Sequence, residues 1–250
     1  MTRLTVVLPC AGRGSRLDLP FPKELLPGPD GRVLIDHSFA LLADADVQVL
    51  LVVGPDRQAT ISHVARRYTT IPVAAVPQLS DTDGWIGAVL SALPFVIGRA
   101  LVLLPDQVLQ TAPNDDPIGR ADQMLHDADA CLLAARCADA DRLAVDGALT
   151  VTYQPGGGPA LLRRIADKPG AAAVAGHNAV WFGLGFRRAA ADQVLAQMRA
   201  AQDRLLDMTA LRGGPLHDAP VIEVPPFLDC GTWPSAARLW HAGQEARACG

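Results

Sequence analysis

Three continuous apolar runs of strand length constrain this chain more than any other feature. They are "LTVVLP" from Leu4, "VQVLLVVG" from Val47 and "RALVLLPDQ" from Arg99. A strand wet on one face alternates apolar and polar residues, so an unbroken apolar run marks a strand covered on both faces. Helical spacing fills the gaps: Ile35, Phe39 and Leu42 in "VLIDHSFALLADA", then "ATISHVARRY", and "GWIGAVLSALPFV" after the strand "IPVAAVP". This βαβαβαβ order predicts an α/β fold with a doubly wound, mostly parallel, Rossmann-like sheet. In such sheets ligands bind at the carboxyl ends of strands. The glycine-rich turn after Pro9 and the acid Asp106 both fall there.

The second half is richer in β. "GRADQMLHDA" reads as a helix and "ACLLAARC" as a strand. "ALTVTYQPGGGPALLRRIADKP" reads as a hairpin around a glycine turn. "HNAVWFGLGF" is a further strand, "RAAADQVLAQMRAAQDRLLDM" a helix, "APVIEVPPFLDCGT" a last strand and "WPSAARLWHAGQEARA" a terminal helix. The loop-like stretch "TAPNDDPIG" (Thr111 to Gly119) bends the chain without dividing it. We expect one domain, with a first half to residue 110 and a β-rich half from residue 120.

Composition limits what such a fold can bind. The formal net charge of the 250 residues is −4, so no broad basic face for nucleic acid is expected and any polyanion site must be local. The five cysteines follow no CxxC or metal spacing, which reads as reduced thiols in a cytoplasmic protein. No apolar run reaches membrane-spanning length, and the N-terminal run is too short for a signal peptide. The six histidines have no ligand spacing. The reading leaves a homo-oligomer open.

The stretch "VVLPCAGRGSRLDLPFPKELLP" (Val6 to Pro27) carries the most chemistry. Glycines at 12 and 14 let backbone N–H groups approach phosphate oxygens without a Cβ in the way. Arg16 can bind a phosphate through two N–H groups, and Lys23 can add a point charge. A GxG turn alone is more often a tight βα turn with solvated basic side chains. Arg16-Leu17 and the segment Pro22-Lys23-Glu24-Leu25-Leu26-Pro27 favour a nucleoside triphosphate. The pattern is neither a Walker A loop nor a full GxGxxG fingerprint.

This stretch resembles the signature of the sugar-1-phosphate nucleotidyltransferases, the nucleotide-sugar pyrophosphorylases, and "PKELLP" resembles their uridylyl- and thymidylyltransferase branches. The resemblance implies that Ala11, Gly12, Gly14 and Ser15 bind the nucleotide, with Arg16 and Lys23 on its phosphates. Four later segments follow the family's order. In "VPQLSDTDGWIGAV", Gln78 and Gly84 match positions that read a pyrimidine edge, which suits an amide with both donor and acceptor. In "LVLLPDQV", Asp106 matches a magnesium ligand, with Pro105 where glycine is usual. In "RIADKPG", Lys168 matches the lysine that meets the sugar phosphate, and Asp167 replaces the usual glutamate. The following strand resembles the wall of a sugar pocket, with Asn178 within reach of the sugar. In "PFLDCGTWPSAARLW", Asp229 matches the second magnesium ligand. That loop also reads as a plain helix start capped by Thr232 or Ser235.

The resemblance implies Mg²⁺ held by Asp106 and Asp229, and an in-line attack of a sugar-1-phosphate on the α-phosphorus of UTP or dTTP. Further differences are Cys10-Ala11, where many members have Ala-Gly, and a chain that stops soon after the Asp229 loop, without the C-terminal helices some thymidylyltransferases use for assembly. Two other readings remain open. One is a cytidylyltransferase of the methylerythritol phosphate type, which the seven-residue step from Arg16 to Lys23 also resembles. The other is a non-catalytic nucleotide-binding module. Trp181, Trp233 and Trp240 read as core or pocket wall.

Overall fold

The chain is described by a computed structural model covering residues 3–12, 14–79, 84–111, 116–154 and 159–248. In chain order the elements are β1 (Leu4–Cys10), α1 (Leu34–Ala40), β2 (Val47–Val53), α2 (Gln58–Arg67), β3 (Val73–Pro77), α3 (Gly84–Ala92), β4 (Arg99–Leu103) and β5 (Gln107–Leu109). They continue with α4 (Pro117–Met124), β6 (Ala130–Arg136), α5 (Ala140–Val145), β7 (Gly147–Thr152), β8 (Ala160–Asp167) and β9 (Ala179–Arg187). Last come α6 (Ala191–Asp203), α7 (Met208–Leu211), β10 (Pro220–Glu223), β11 (Phe227–Asp229) and α8 (Trp233–Ala248).

Two compact units emerge. One comprises Thr5–Phe95, Val102–Ala112 and Phe227–Gly250, the other Met1–Leu4, Val96–Leu101 and Pro113–Pro226. In the first unit, which takes β1 from Thr5 and β4 from Val102, the strands run in the order β3-β2-β1-β4. The apolar runs are covered as their composition requires: Val6, Val7 and Leu8 of β1 and Val52 of β2 are wholly buried. β2 and β3 pair in parallel, from Val49 opposite Val73 to Val53 opposite Pro77. A separate two-stranded antiparallel ladder joins β5 to β11.

In the second unit the order is β9-β6-β10-β8-β7, with β7 also pairing to β9. β6 and β10 are parallel. The β6–β9, β8–β10, β7–β8 and β7–β9 pairs are antiparallel. The α/β architecture is as expected, and its sheet is mixed, with the antiparallel pairs gathered in the β-rich unit. Gly147 opens β7 directly against the Trp181 indole, where any Cβ would overlap the ring.

Several boundaries differ from the sequence reading. The run expected from Arg99 to Gln107 breaks at Leu104–Asp106, where Gln107 N–H closes a turn onto Leu104 O at 3.1 Å. Pro105 has no N–H to give a ladder, so the strand ends before it. The expected last strand divides into β10 and β11 around Pro225-Pro226 for the same reason. The helix expected through Met208 ends at Asp203, because Leu206 exchanges two backbone hydrogen bonds with Ile165 of β8. Short α5 and α7 were not expected. Their signals are the caps Asp139 and Asp207, each accepting two backbone N–H groups of its helix. Residues 155–158 of the hairpin turn, Ser80–Asp83, residues 112–115 of the Thr111–Gly119 loop, Arg13 and Cys249 lie outside the described residues. The four described cysteines are free thiols. Among the described residues no helix is long and apolar enough to cross a membrane.

Candidate active site

The first unit gathers four of the charged residues picked out from the sequence. Leu17 N–H bonds to Gly14 O at 2.9 Å, which closes the turn leaving β1. Gly14 has φ +62, and a Cβ there would stand 3.2 Å from Lys23 Cβ, so glycine both permits the turn and lets the lysine stem pass. Lys23 Nζ meets Asp106 Oδ2 at 2.5 Å. Burial pulls the Lys23 pKa down, but the charge and hydrogen bond of Asp106, with help from Asp229 and Glu24, hold it above the ordinary value. The ammonium therefore stays charged while mostly out of water.

Asp229 arrives through the β5–β11 ladder, where it lies opposite Gln107, the residue after Asp106. Cys230 N–H donates to Asp106 O at 2.8 Å and fixes the two acidic segments together. Asp229 Oδ1 accepts Gly231 N–H at 2.8 Å. A Cβ on Gly231 would lie 2.8 Å from Asp229 Oδ1, 3.7 Å from Asp106 Oδ2 and 3.8 Å from Arg16 Nη2. Three charged tips thus surround one bare backbone position, and the fourth, Lys23, is bound to one of them. The two carboxylates leave a mark on the buried Cys230 thiol: burial first, then Asp106 and Asp229, push it up to about 12.

Behind this cluster stands Arg57, which the sequence reading missed. Its Nε donates to Cys10 O at 3.0 Å and its Nη2 to Gly12 O at 2.6 Å. It also lies 3.7 Å from Glu24 Oε1, which accepts the Thr60 hydroxyl at 2.7 Å. Burial pushes the Glu24 carboxyl up; Thr60, Arg57 and Lys23 are among the groups that pull it down. Glu24 is thus the internal anchor of the "PKELLP" segment. A glutamate among apolar neighbours was the available signal, since a buried carboxylate needs donors and a cation.

Of the remaining nucleotide positions, Ala11 is half-buried, Gly12 and Ser15 are exposed, and the Gly12 Cα faces open space. Gln78 N–H donates to Val53 O at 2.9 Å, carrying the β2–β3 ladder one residue further. Leu79 N–H donates to Ser91 Oγ of α3 at 3.0 Å, so the Gln78 segment is tied at both sides. Gly84 opens α3 with φ +68, a conformation few other residues adopt easily. Thr232 Oγ1 accepts Ser235 N–H at 3.4 Å, so the capping role coexists with the acidic cluster.

Lys168, Asp167 and Asn178 belong to the second unit. Lys168 is exposed and left-handed, at φ 51, with its N–H on Asp146 O at 3.0 Å. A lysine in that region is strained, a feature that clusters at ligand sites. Burial pushes Asp167 up, Lys168 pulls it down, and Asp146 adds to the rise. Asn178 has a structural task that the sequence reading did not anticipate. Its Nδ2 donates to Val151 O and its Oδ1 accepts Val151 N–H, both at 2.9 Å, so the amide acts as one more rung beside β7. Asn178→Ala removes both bonds and should cost about 1–2 kcal/mol. At this size that lowers Tm by roughly 2–8 °C in a thermal melt.

Comparison with known proteins fits this arrangement. The model of the MobA-like NTP transferase domain matches residues 6–213. The chain belongs to this nucleotidyltransferase family. A 2-C-methyl-D-erythritol 4-phosphate cytidylyltransferase from Klebsiella pneumoniae is 32% identical over 115 residues, 44% of this chain and 45% of the relative. The chain thus matches less than half the length of that relative. Solved structures match over nearly the whole chain. A UDP-glucose pyrophosphorylase complexed with UDP-glucose has a TM-score of 0.77 at 14% identity, covering 100% of both chains. A UTP-bound UGPase from Acinetobacter baumannii has 0.72 at 18% identity, covering 99% of this chain and 98% of its own. At such identities the likeness establishes the α/β nucleotidyltransferase fold. The resemblance read from the sequence is borne out at the level of the family, with nucleotide-sugar pyrophosphorylases among its structural neighbours.

Proposed function

We propose that this nucleotidyltransferase joins a nucleoside triphosphate, UTP or dTTP, to a sugar-1-phosphate, giving an NDP-sugar and pyrophosphate. The observation that carries the reading is the meeting of Arg16, Asp106 and Asp229 around Gly231, with Lys23 on Asp106. One oxygen of the sugar phosphate attacks the α-phosphorus. The bond from that phosphorus to the bridging oxygen breaks, and pyrophosphate leaves with the electron pair. The nucleophile is already an anion, so no covalent intermediate or strong general base is required. Arg16 and Lys23 neutralise the departing pyrophosphate, and Lys168 is assigned the phosphate of the sugar. Catalysis then consists of positioning and electrostatic stabilisation.

The donor set fits Mg²⁺. Asp106 and Asp229 offer two hard carboxylates within 4 Å of one point, and this ion prefers one or two carboxylates together with substrate phosphates. When bound, it supplies Lewis-acid stabilisation of charge on the phosphates. Gln78 and Gly84 are assigned the base edge.

A pyrophosphate-release panel tests the reading, with UTP, dTTP, CTP, ATP and GTP against several sugar-1-phosphates. We expect kcat/KM for UTP or dTTP to exceed that for GTP by at least about 10²-fold, because the wrong edge leaves buried polar groups unpaired. Equal values for GTP and dTTP would refute the base assignment but not the reaction class. The cytidylyltransferase likeness supports a second reading, in which CTP and a small alcohol phosphate are the substrates. Turnover of CTP with a small alcohol phosphate added to the panel, and of no other pair, would establish it over the first.

A further inference from the structure

The two exposed tryptophans of the terminal helix do work that neither a core role nor a pocket wall explains. Trp233 is 47% exposed and Trp240 40% exposed, so neither is held chiefly by burial of its ring. Each indole N–H, the sole polar group of its side chain, nevertheless reaches a backbone carbonyl far away in sequence. Trp233 Nε1 donates to Leu17 O at 3.0 Å, and Trp240 Nε1 donates to Pro27 O at 2.9 Å. The two residues are seven apart on α8, two helical turns or about 10 Å along its axis. The carbonyls they hold bracket the segment from Leu17 to Pro27, which contains Lys23 and begins at the residue after Arg16.

Apolar packing lies between these two bonds. Ala236 of α8 is buried in one cluster with Leu26, Leu34, Val108 and Cys230, and Leu19 and Leu239 pack against it. Leu239 also lies beside Gly28, where a Cβ would be 3.7 Å from Leu239 Cδ2. The segment itself has few internal ties. Leu17 N–H holds Gly14 O, and Leu25 and Leu26 N–H hold Pro22 O and Lys23 O. A loop with so few bonds of its own takes its shape from what it is fastened to.

We propose that α8 is a positioning element for the phosphate-binding segment, with Trp233 and Trp240 clamping its two ends so that Arg16 and Lys23 are held ready for the triphosphate. The proposal rests on the reading of Arg16 and Lys23 given under Proposed function. Both tryptophans are positioning residues and act through the backbone they hold.

Trp233→Phe keeps an aromatic ring and removes the N–H together with part of the ring area. Two measurements on the full chain test it. Amide hydrogen exchange should speed up about 3- to 10-fold at Leu17, Leu25 and Leu26, the change expected for one lost hydrogen bond, while β2 amides stay as they were. Steady-state kinetics should show KM for the triphosphate raised by a similar factor, with KM for the sugar-1-phosphate unchanged. A helix that merely stabilised the fold would lower Tm without moving that ratio. Trp240→Phe makes the same test at the Pro27 end and carries it if the first variant fails to fold. Unchanged exchange in the segment, or equal rises in both KM values, would overturn the clamp. If the unaltered chain turned over none of the panel substrates, the functional reading would fall, and the exchange measurement alone would decide whether the clamp exists.

Discussion

Asp106→Asn and Asp229→Asn should each lower kcat by about 10²–10³-fold, the usual loss when one preorganised charged contact to a transition state is removed. Each replacement keeps the side-chain shape and removes the charge. Circular dichroism should therefore show the fold intact, because β5 and β11 are joined through backbone groups and Cys230 N–H bonds to the Asp106 carbonyl, not its carboxylate. The two variants should differ in one respect. Asp106 also holds Lys23 at 2.5 Å, so its loss frees the lysine as well as removing an oxygen donor. Asp229 accepts the Gly231 N–H, which an asparagine oxygen can still accept. Asp106→Asn should thus raise KM for the triphosphate, whereas Asp229→Asn should act mainly on kcat. Excess EDTA should abolish turnover by the unaltered chain. Full activity in EDTA would remove the metal assignment from both carboxylates.

Arg57→Ala should be strongly destabilising in the first unit. It takes the cation from beside Glu24, whose side chain is 2% exposed, and releases the carbonyls of Cys10 and Gly12. Breaking a buried pair leaves the other charge stranded, and with the lost hydrogen bonds the expected cost is about 2–4 kcal/mol. At 250 residues this corresponds to a fall in Tm of roughly 4–16 °C. The loss should depend on pH in a definite direction. The folded-state pKa of Glu24 is already raised by burial and would rise further without Arg57. A carboxyl with a raised folded pKa favours folding in its protonated form. The penalty should therefore be smallest below the ordinary carboxylate range and grow as pH rises through the elevated pKa. A melt series from pH 5 to pH 8 measures this. A pH-independent loss would mean that the freed carbonyls, and not Glu24, dominate.

The strands, the helices and most of the charged residues were legible because their signals are local. Continuous apolar runs at Val6, Val49 and Leu101, short, rich in β-branched residues and bounded by glycine or proline, fit strands covered on both faces. The signature segment was readable for a related reason: glycines before a basic pair make a turn that can approach phosphate. Where local reading failed, a local competitor had won. Pro105 cut one expected strand and Pro225-Pro226 another, and Leu206 ended a helix early by pairing with Ile165.

The order and type of elements, and the presence of a glycine-rich turn with distant acids, were determined by the sequence itself. What those acids do together was decided by the tertiary structure. Asp229 stands beside Asp106 because β11 pairs with β5 in one register, setting Asp229 opposite Gln107. That register is chosen by packing between segments more than a hundred residues apart, about which local periodicity carries no information. The same holds for Arg57, which reads as a surface arginine before a helix until folding places two carbonyls and Glu24 around it. It holds for Trp233 and Trp240, whose N–H groups find Leu17 and Pro27 only when α8 docks. Asn178 was expected within reach of the sugar from the family resemblance, and the fold also gives its amide the backbone of Val151 as a partner. A polar side chain is assigned to whichever partner the fold brings within hydrogen-bond distance, and that partner is seldom adjacent in the chain.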